Sequence, residues 1–112
     1  MSWRSFVLTG LLLSLGAGSP ARAVAGTPAT IHVTIDQIAF VERSVTAHVG
    51  DTIEWTNKDV VDHSATAKNG KFDVEIKAGR KARVVLKSEG VVEYYCQYHP
   101  NMTAKVVVTK AR

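Results

Sequence analysis

Cysteine is nearly absent: the 112 residues contain a single one, Cys96. An intrachain disulfide is therefore excluded, and a domain this small has to rest on its apolar core and on any metal it binds. Exported proteins tend to carry cysteines in pairs, so a leftover thiol calls for a reason. Long apolar runs are missing too. Phe6 to Leu15 (FVLTGLLLSL) falls well short of the roughly 20 residues that span a bilayer. No cysteine stands directly after that run, so a bacterial lipoprotein anchor is not expected. Charge is not concentrated. The formal net charge is +4, too modest and too dispersed for the basic stripes of a nucleic-acid binder. The basic residues from Lys68 to Lys87 read as a solvated strand surface. No stretch has a convincing helical period, and no repeat or low-complexity segment appears.

The first residues read as a leader. Arg4 supplies a positive start, the apolar run follows, and small residues lead to Ala21-Arg22-Ala23 and Ala23-Val24-Ala25, either of which fits an A-x-A cleavage site. Residues 1–23 are thus expected to be a signal peptide, cleaved after Ala23 or Ala25, with one domain over residues 26–112. Loss of Arg4 and Arg22 would lower the net charge to +2. The expected location is the periplasm or another extracytoplasmic compartment, with no membrane insertion after cleavage and a monomeric state.

The remainder is expected to be all-β. Ile31, Val33 and Ile35 alternate with His32, Thr34 and Asp36, the period-two signature of a half-buried strand. Val45, Ala47 and Val49 repeat that pattern, as do Ile53 and Trp55. Asn57-Lys58-Asp59, Asn69-Gly70, Ala78-Gly79 and Glu89-Gly90 supply turns. Seven or eight short segments with turns every 8 to 12 residues or so point to a sandwich or small barrel. Val92, Tyr94 and Cys96 share one parity and should face inward, as should Ala104, Val106 and Val108. Trp55 and Phe72 read as core. Tyr98 is either an exposed contact residue or a cap.

What is present gathers around the one thiol, in Cys96-Gln97-Tyr98-His99-Pro100-Asn101-Met102. A thiolate, an imidazole and a thioether at this spacing can converge on one soft metal ion. His63 is the best placed source of a second imidazole, whereas His32 and His48 fall on the polar parity of their strands. Two His, one Cys and a weak axial Met form the donor set of a blue-copper electron-transfer centre. Sulfur favours Cu(I) and imidazole serves either oxidation state, so little has to move when an electron arrives. Pro100, with fixed φ and no amide hydrogen, stiffens the turn beside His99. Ser64 is placed to hydrogen-bond near the thiolate or to tie the ligand segments together.

The segments YYCQYHPNMTAKVVV, GDTIEWTNKD and DHSATA resemble the cupredoxin (type 1 blue copper protein) family over about Ile31 to Val108. Within it, the short Cys-to-Met loop is closest to the amicyanin-like branch, ahead of the plastocyanin-like one. The resemblance implies an eight-stranded Greek-key β-sandwich or barrel. It also implies one type 1 copper held by His63, Cys96, His99 and Met102, an exported location and one-electron transfer without enzymatic activity. Redox proteins of the dehydrogenase, cytochrome c or oxidase and reductase type would dock near His99. Ser64 stands where many members have Asn, and Asn101 stands where amicyanins carry a bulky apolar residue, which makes the docking face more polar. A periplasmic copper-delivery role is the alternative, although Met1 and Met102 are the only methionines, and delivery sites tend to be open or Met-rich. Copper enzymes of the oxidase and nitrite reductase type need more histidines, and no His-x-His pair occurs. A metal-free β-sandwich is the remaining possibility.

Overall fold

The computed structural model describes residues 26–112 together with Gly10, Ser14, Gly16 and Gly18. The expected signal peptide over residues 1–23 therefore lies largely outside the described residues. From Thr30 onward the chain forms short strands: β1 (Thr30–Asp36), β2 (Ala39–Phe40), β3 (Ser44–His48), β4 (Thr52–Asn57), β5 (His63–Ala67), β6 (Asp73–Ile76), β7 (Lys81–Val85), β8 (Gly90–Tyr95) and β9 (Thr103–Thr109). They build a four-stranded sheet ordered β2-β1-β4-β7 and a five-stranded sheet ordered β3-β9-β8-β5-β6. Two pairs, β1 with β4 and β3 with β9, run parallel; the others are antiparallel. The chain changes sheet at most connections, so the two layers are laced together and not simply stacked.

The all-β expectation holds, with one strand more than the eight expected. The addition is the two-residue β2, paired back on β1 through Ile35–Phe40 and Asp36–Ala39. The intervening Gln37 and Ile38 adopt φ of 51° and 57°, the left-handed conformation that a two-residue hairpin turn requires. Neither is the Gly or Asn that normally marks such a turn, so the sequence carries no signal for it.

Alternating positions meet between the sheets. Val33, Ile35, Ile53 and Trp55 come from one layer, and Ala65, Val92, Tyr94, Val106 and Val108 from the other, all buried. The expected inward parity of Val92, Tyr94 and Cys96, and of Ala104, Val106 and Val108, is thus observed. At the centre Trp55 of β4 donates its indole N–H to the Tyr94 hydroxyl of β8 at 3.3 Å, joining the two layers. Phe40 and Phe72 pack on Tyr94 with ring centroids 4.8 and 5.7 Å away. Aromatic pairs in such geometry add about 0.5–1.5 kcal/mol each beyond their area. Phe72 and Trp55 are core residues, as expected.

Several of the basic residues between Lys68 and Lys87 are paired with carboxylates. Lys68 pairs with Glu93, Lys77 with Glu75 and Asp62, and Lys81 and Arg83 with Glu54. His32 is exposed and leans on Glu54 at 3.3 Å. His48 is only half-exposed, with Nδ1 3.7 Å from Asp51. Among the described residues no helix is long and apolar enough to cross a membrane.

Candidate metal centre

Three connections converge at one end of the sandwich: the β1–β2 turn, the loop into β5 and the loop from β8 to β9. His63 opens β5 opposite Ile76 of β6, and Cys96 directly follows the last residue of β8. The intervening loop is closed by its own backbone. The Cys96 amide donates to the Met102 carbonyl at 3.0 Å, the His99 amide to Cys96 at 3.3 Å, and the Met102 amide to His99 at 2.8 Å. Pro100 lies within this closed loop and needs no partner for an N–H it lacks. The loop turns back with Cys96 and Met102 buried at its two feet and His99 half-buried at its crest.

The side chains then meet. Cys96 Sγ lies 3.6 Å from His63 Nδ1 and 3.9 Å from His99 Nδ1, and the three donor atoms all fall within 4.8 Å of one another. First-row ions bind imidazole nitrogen at about 2.0–2.1 Å and thiolate at about 2.3 Å, so donors spread trigonally around one ion stand about 3.8 Å apart. The two sulfur–nitrogen spacings fit that arrangement. Met102 is buried beside His99, in a hollow that both line with Ile38, Tyr98, Pro100 and Asn101. Two imidazoles, a thiolate and a neighbouring thioether match the soft donor set that suits copper, and match poorly the usual structural zinc sets.

Ser64 links the segments that carry His63 and Cys96. Its amide points at Cys96 Sγ at 3.4 Å, and its hydroxyl accepts from the Gln97 amide at 2.8 Å. The same hydroxyl lies 3.0 Å from Thr66 Oγ1, which donates to Asp73. Of the remaining histidines, neither His32 nor His48 approaches this corner.

The family model of the cupredoxin-like domain matches residues 6–108. The chain belongs to the cupredoxin family. This cupredoxin is similar to amicyanin from Paracoccus versutus, 31% identical over 93 residues that cover 77% of this chain and 70% of that protein. It is equally similar to amicyanin-alpha from Methylorubrum extorquens, 31% identical over 102 residues and 85% of each chain. Among solved structures, the reduced Cu(I) form at pH 4 of a proline-to-glycine variant of amicyanin matches with a TM-score of 0.62. Its sequence is 26% identical, over 77% of this chain and 86% of that one. The oxidised state of a proline-to-alanine variant gives 0.63 at 26% identity, over 70% and 81% of the two chains.

One residue of this cupredoxin's centre escaped the sequence reading. Asp59, at the end of the Asn57-Lys58-Asp59 turn, places Oδ2 2.7 Å from His63 Nε2. Its two oxygens also accept the amides of Gln37 at 2.8 Å and Ile38 at 2.9 Å. Burial alone would raise the Asp59 pKa; the Ile38 amide, the His63 ring and the Gln37 amide outweigh it and hold the carboxyl below its ordinary value. The only signal available was an acidic residue four positions before a candidate ligand.

Proposed function

We propose that this cupredoxin is a soluble one-electron carrier in which His63 Nδ1, Cys96 Sγ, His99 Nδ1 and the Met102 thioether hold one type 1 copper ion. The observation that carries the proposal is the meeting of a thiolate with two imidazole nitrogens at 3.6 and 3.9 Å, one of the rings half-buried at the crest of the loop. Bound copper supplies a Cu(I)/Cu(II) couple that takes up or gives up one electron without a change of donor set.

The chain's own residues divide the remaining tasks. His63 and Cys96 are fully buried, so water is kept from the sulfur. The Ser64 amide faces the sulfur and stabilises the negative charge of a thiolate. His99, half-buried at the crest of the loop, offers its ring edge as the port for the electron. Ile38 and Tyr98 stand exposed in the hollow beside it, and Val60 and Val61 are exposed on the loop into His63. Such a rim suits the small, brief encounters of redox partners, which bury less than about 1,200 Å². Partners of the dehydrogenase, cytochrome c or oxidase and reductase type fit this rim; nucleic acid does not. The leader over residues 1–23 supports export to the periplasm, where the domain works as a monomer.

The closed arrangement favours electron transfer over copper delivery. His63, Cys96 and Met102 are 0%, 0% and 4% exposed, which leaves an acceptor protein little of the donor set to compete for. Protein loaded with Cu(II) is expected to show an intense visible thiolate-to-copper band, lost in Cys96→Ser, and a reversible one-electron wave. A colourless Cu(I) complex that passes its metal to a chelator, with no reversible wave, contradicts the proposal and points to delivery.

A further inference from the structure

We infer that Asp59 is a positioning residue for the metal centre, holding His63 with Nδ1 turned to Cys96 and fastening the β1–β2 turn to that same ligand. The inference rests on the electron-carrier reading above.

An ionised carboxylate only accepts hydrogen bonds. The His63 nitrogen that faces Asp59 Oδ2 at 2.7 Å therefore carries the ring hydrogen, and Nδ1 keeps its lone pair for a metal. The ring is fully buried, so no solvent competes for either nitrogen. Asp59 is itself braced. Its amide donates to Asn57 Oδ1 at 2.9 Å. The buried Asn57 in turn donates to the carbonyls of Val61 at 2.9 Å and Ile76 at 3.0 Å. The carboxylate thus sits on a fixed support that also frames the loop leading into His63.

Its second task is at the surface. Gln37 and Ile38 hold a left-handed conformation that side chains other than glycine adopt at a cost. The turn is sustained because Asp59 takes both of their amides. Ile38 in turn lines the hollow shared by His99 and Met102. One carboxylate therefore joins the apolar lip beside the half-buried imidazole of His99 to the fully buried imidazole of His63. A negative charge bonded to a metal-ligating ring raises that ring's basicity and favours the more highly charged metal state.

Two readouts test this, one of them without copper. In the metal-free protein, long-range proton–nitrogen NMR is expected to find His63 as the Nε2–H tautomer alone. Asp59→Ala should give a mixture of tautomers, while Asp59→Asn, which keeps an accepting oxygen, should retain the first. In the copper-loaded protein, Asp59→Asn should raise the reduction potential. A tenfold loss of Cu(II) affinity relative to Cu(I) corresponds to a rise of about 59 mV, at the lower end of the 10–100-fold effects typical of such partners. An unchanged potential in Asp59→Asn, or an Nδ1–H tautomer in the wild type, overturns the inference. Should Asp59→Ala fail to fold, the wild-type tautomer and the Asp59→Asn potential decide between them. Failure of the wild type to bind copper would instead defeat the electron-carrier reading and leave the tautomer result standing.

Discussion

The amide of Ser64 lies 3.4 Å from the sulfur of Cys96, across 32 positions of sequence. That contact exists because β5 and β8 are neighbours in one sheet, paired at Thr66–Tyr95 and Ala67–Tyr94. The β5 residue that follows His63 is thereby delivered to Cys96. The Ser64 hydroxyl continues the link by accepting from Gln97, the residue after Cys96.

Ser64→Ala keeps the amide and removes the hydroxyl, which leaves the Gln97 N–H without its partner. A net loss of about 1–2 kcal/mol is expected, read by urea denaturation of the metal-free protein. Copper release from the loaded protein should accelerate and the potential should shift, because one of the links between the Cys96 loop and the His63 strand is gone. An unaltered potential would remove Ser64 from the account of the site.

Much of this was legible because the chemistry is local. Cys96, His99 and Met102 sit in one short loop, and the strand parity that buries Tyr94 also buries Cys96. His63 was legible by elimination, since His32 and His48 fall on outward positions. Asp59 was not. Its role depends on a turn at Gln37 and Ile38, which carries no glycine or asparagine signal and which brings two amides to the carboxylate from more than 20 positions away. The pairing of Glu54 with Lys81 and Arg83 was hidden for a similar reason. It follows from the β4–β7 register, which places Glu54 opposite Arg83, and no local pattern encodes a register between distant strands.

Asp51 makes stability depend on acid. Burial alone would raise its pKa, but the amides of Ala29 and His48 and the Arg112 guanidinium together bring it down to about 2 from 3.8. A carboxyl depressed in the folded state stabilises the fold fully above its unfolded value, and that stability is lost as pH falls through the folded value. The loss should therefore fall between pH of roughly 4 and 2 and amount to something on the order of 2 kcal/mol. Arg112→Ala should shift the acid-unfolding midpoint to higher pH, as followed by fluorescence of Trp55. A coincident midpoint would show that the Asp51–Arg112 pair does not carry the effect.

Tyr94 acts at the alkaline end. Burial pushes its hydroxyl up to about 12, while an unfolded tyrosine ionises near 10, so the unfolded state releases its proton first. Stability is complete below pH of about 10 and declines toward 12, by about 2–3 kcal/mol over the window. Tyr94→Phe should flatten that decline relative to the wild type. At neutral pH the same change should cost about 1–2 kcal/mol, because the Trp55 indole N–H loses its acceptor. Equal alkaline slopes in denaturation series of the two proteins would contradict this.

Val60 tests the docking face separately from the metal. It is 95% exposed on the loop into His63. Val60→Asp should leave the visible band and the potential as they are, and slow electron exchange with a physiological partner several-fold. A normal exchange rate would place docking elsewhere on the surface.

X-ray absorption at the copper edge of the Cu(II)-loaded protein bears most directly on the central claim. The account predicts one short copper–sulfur distance of about 2.1–2.3 Å and two imidazole nitrogens at about 2.0 Å, with the sulfur signal gone in Cys96→Ser. A spectrum fitted by nitrogen and oxygen alone in the wild type would contradict it.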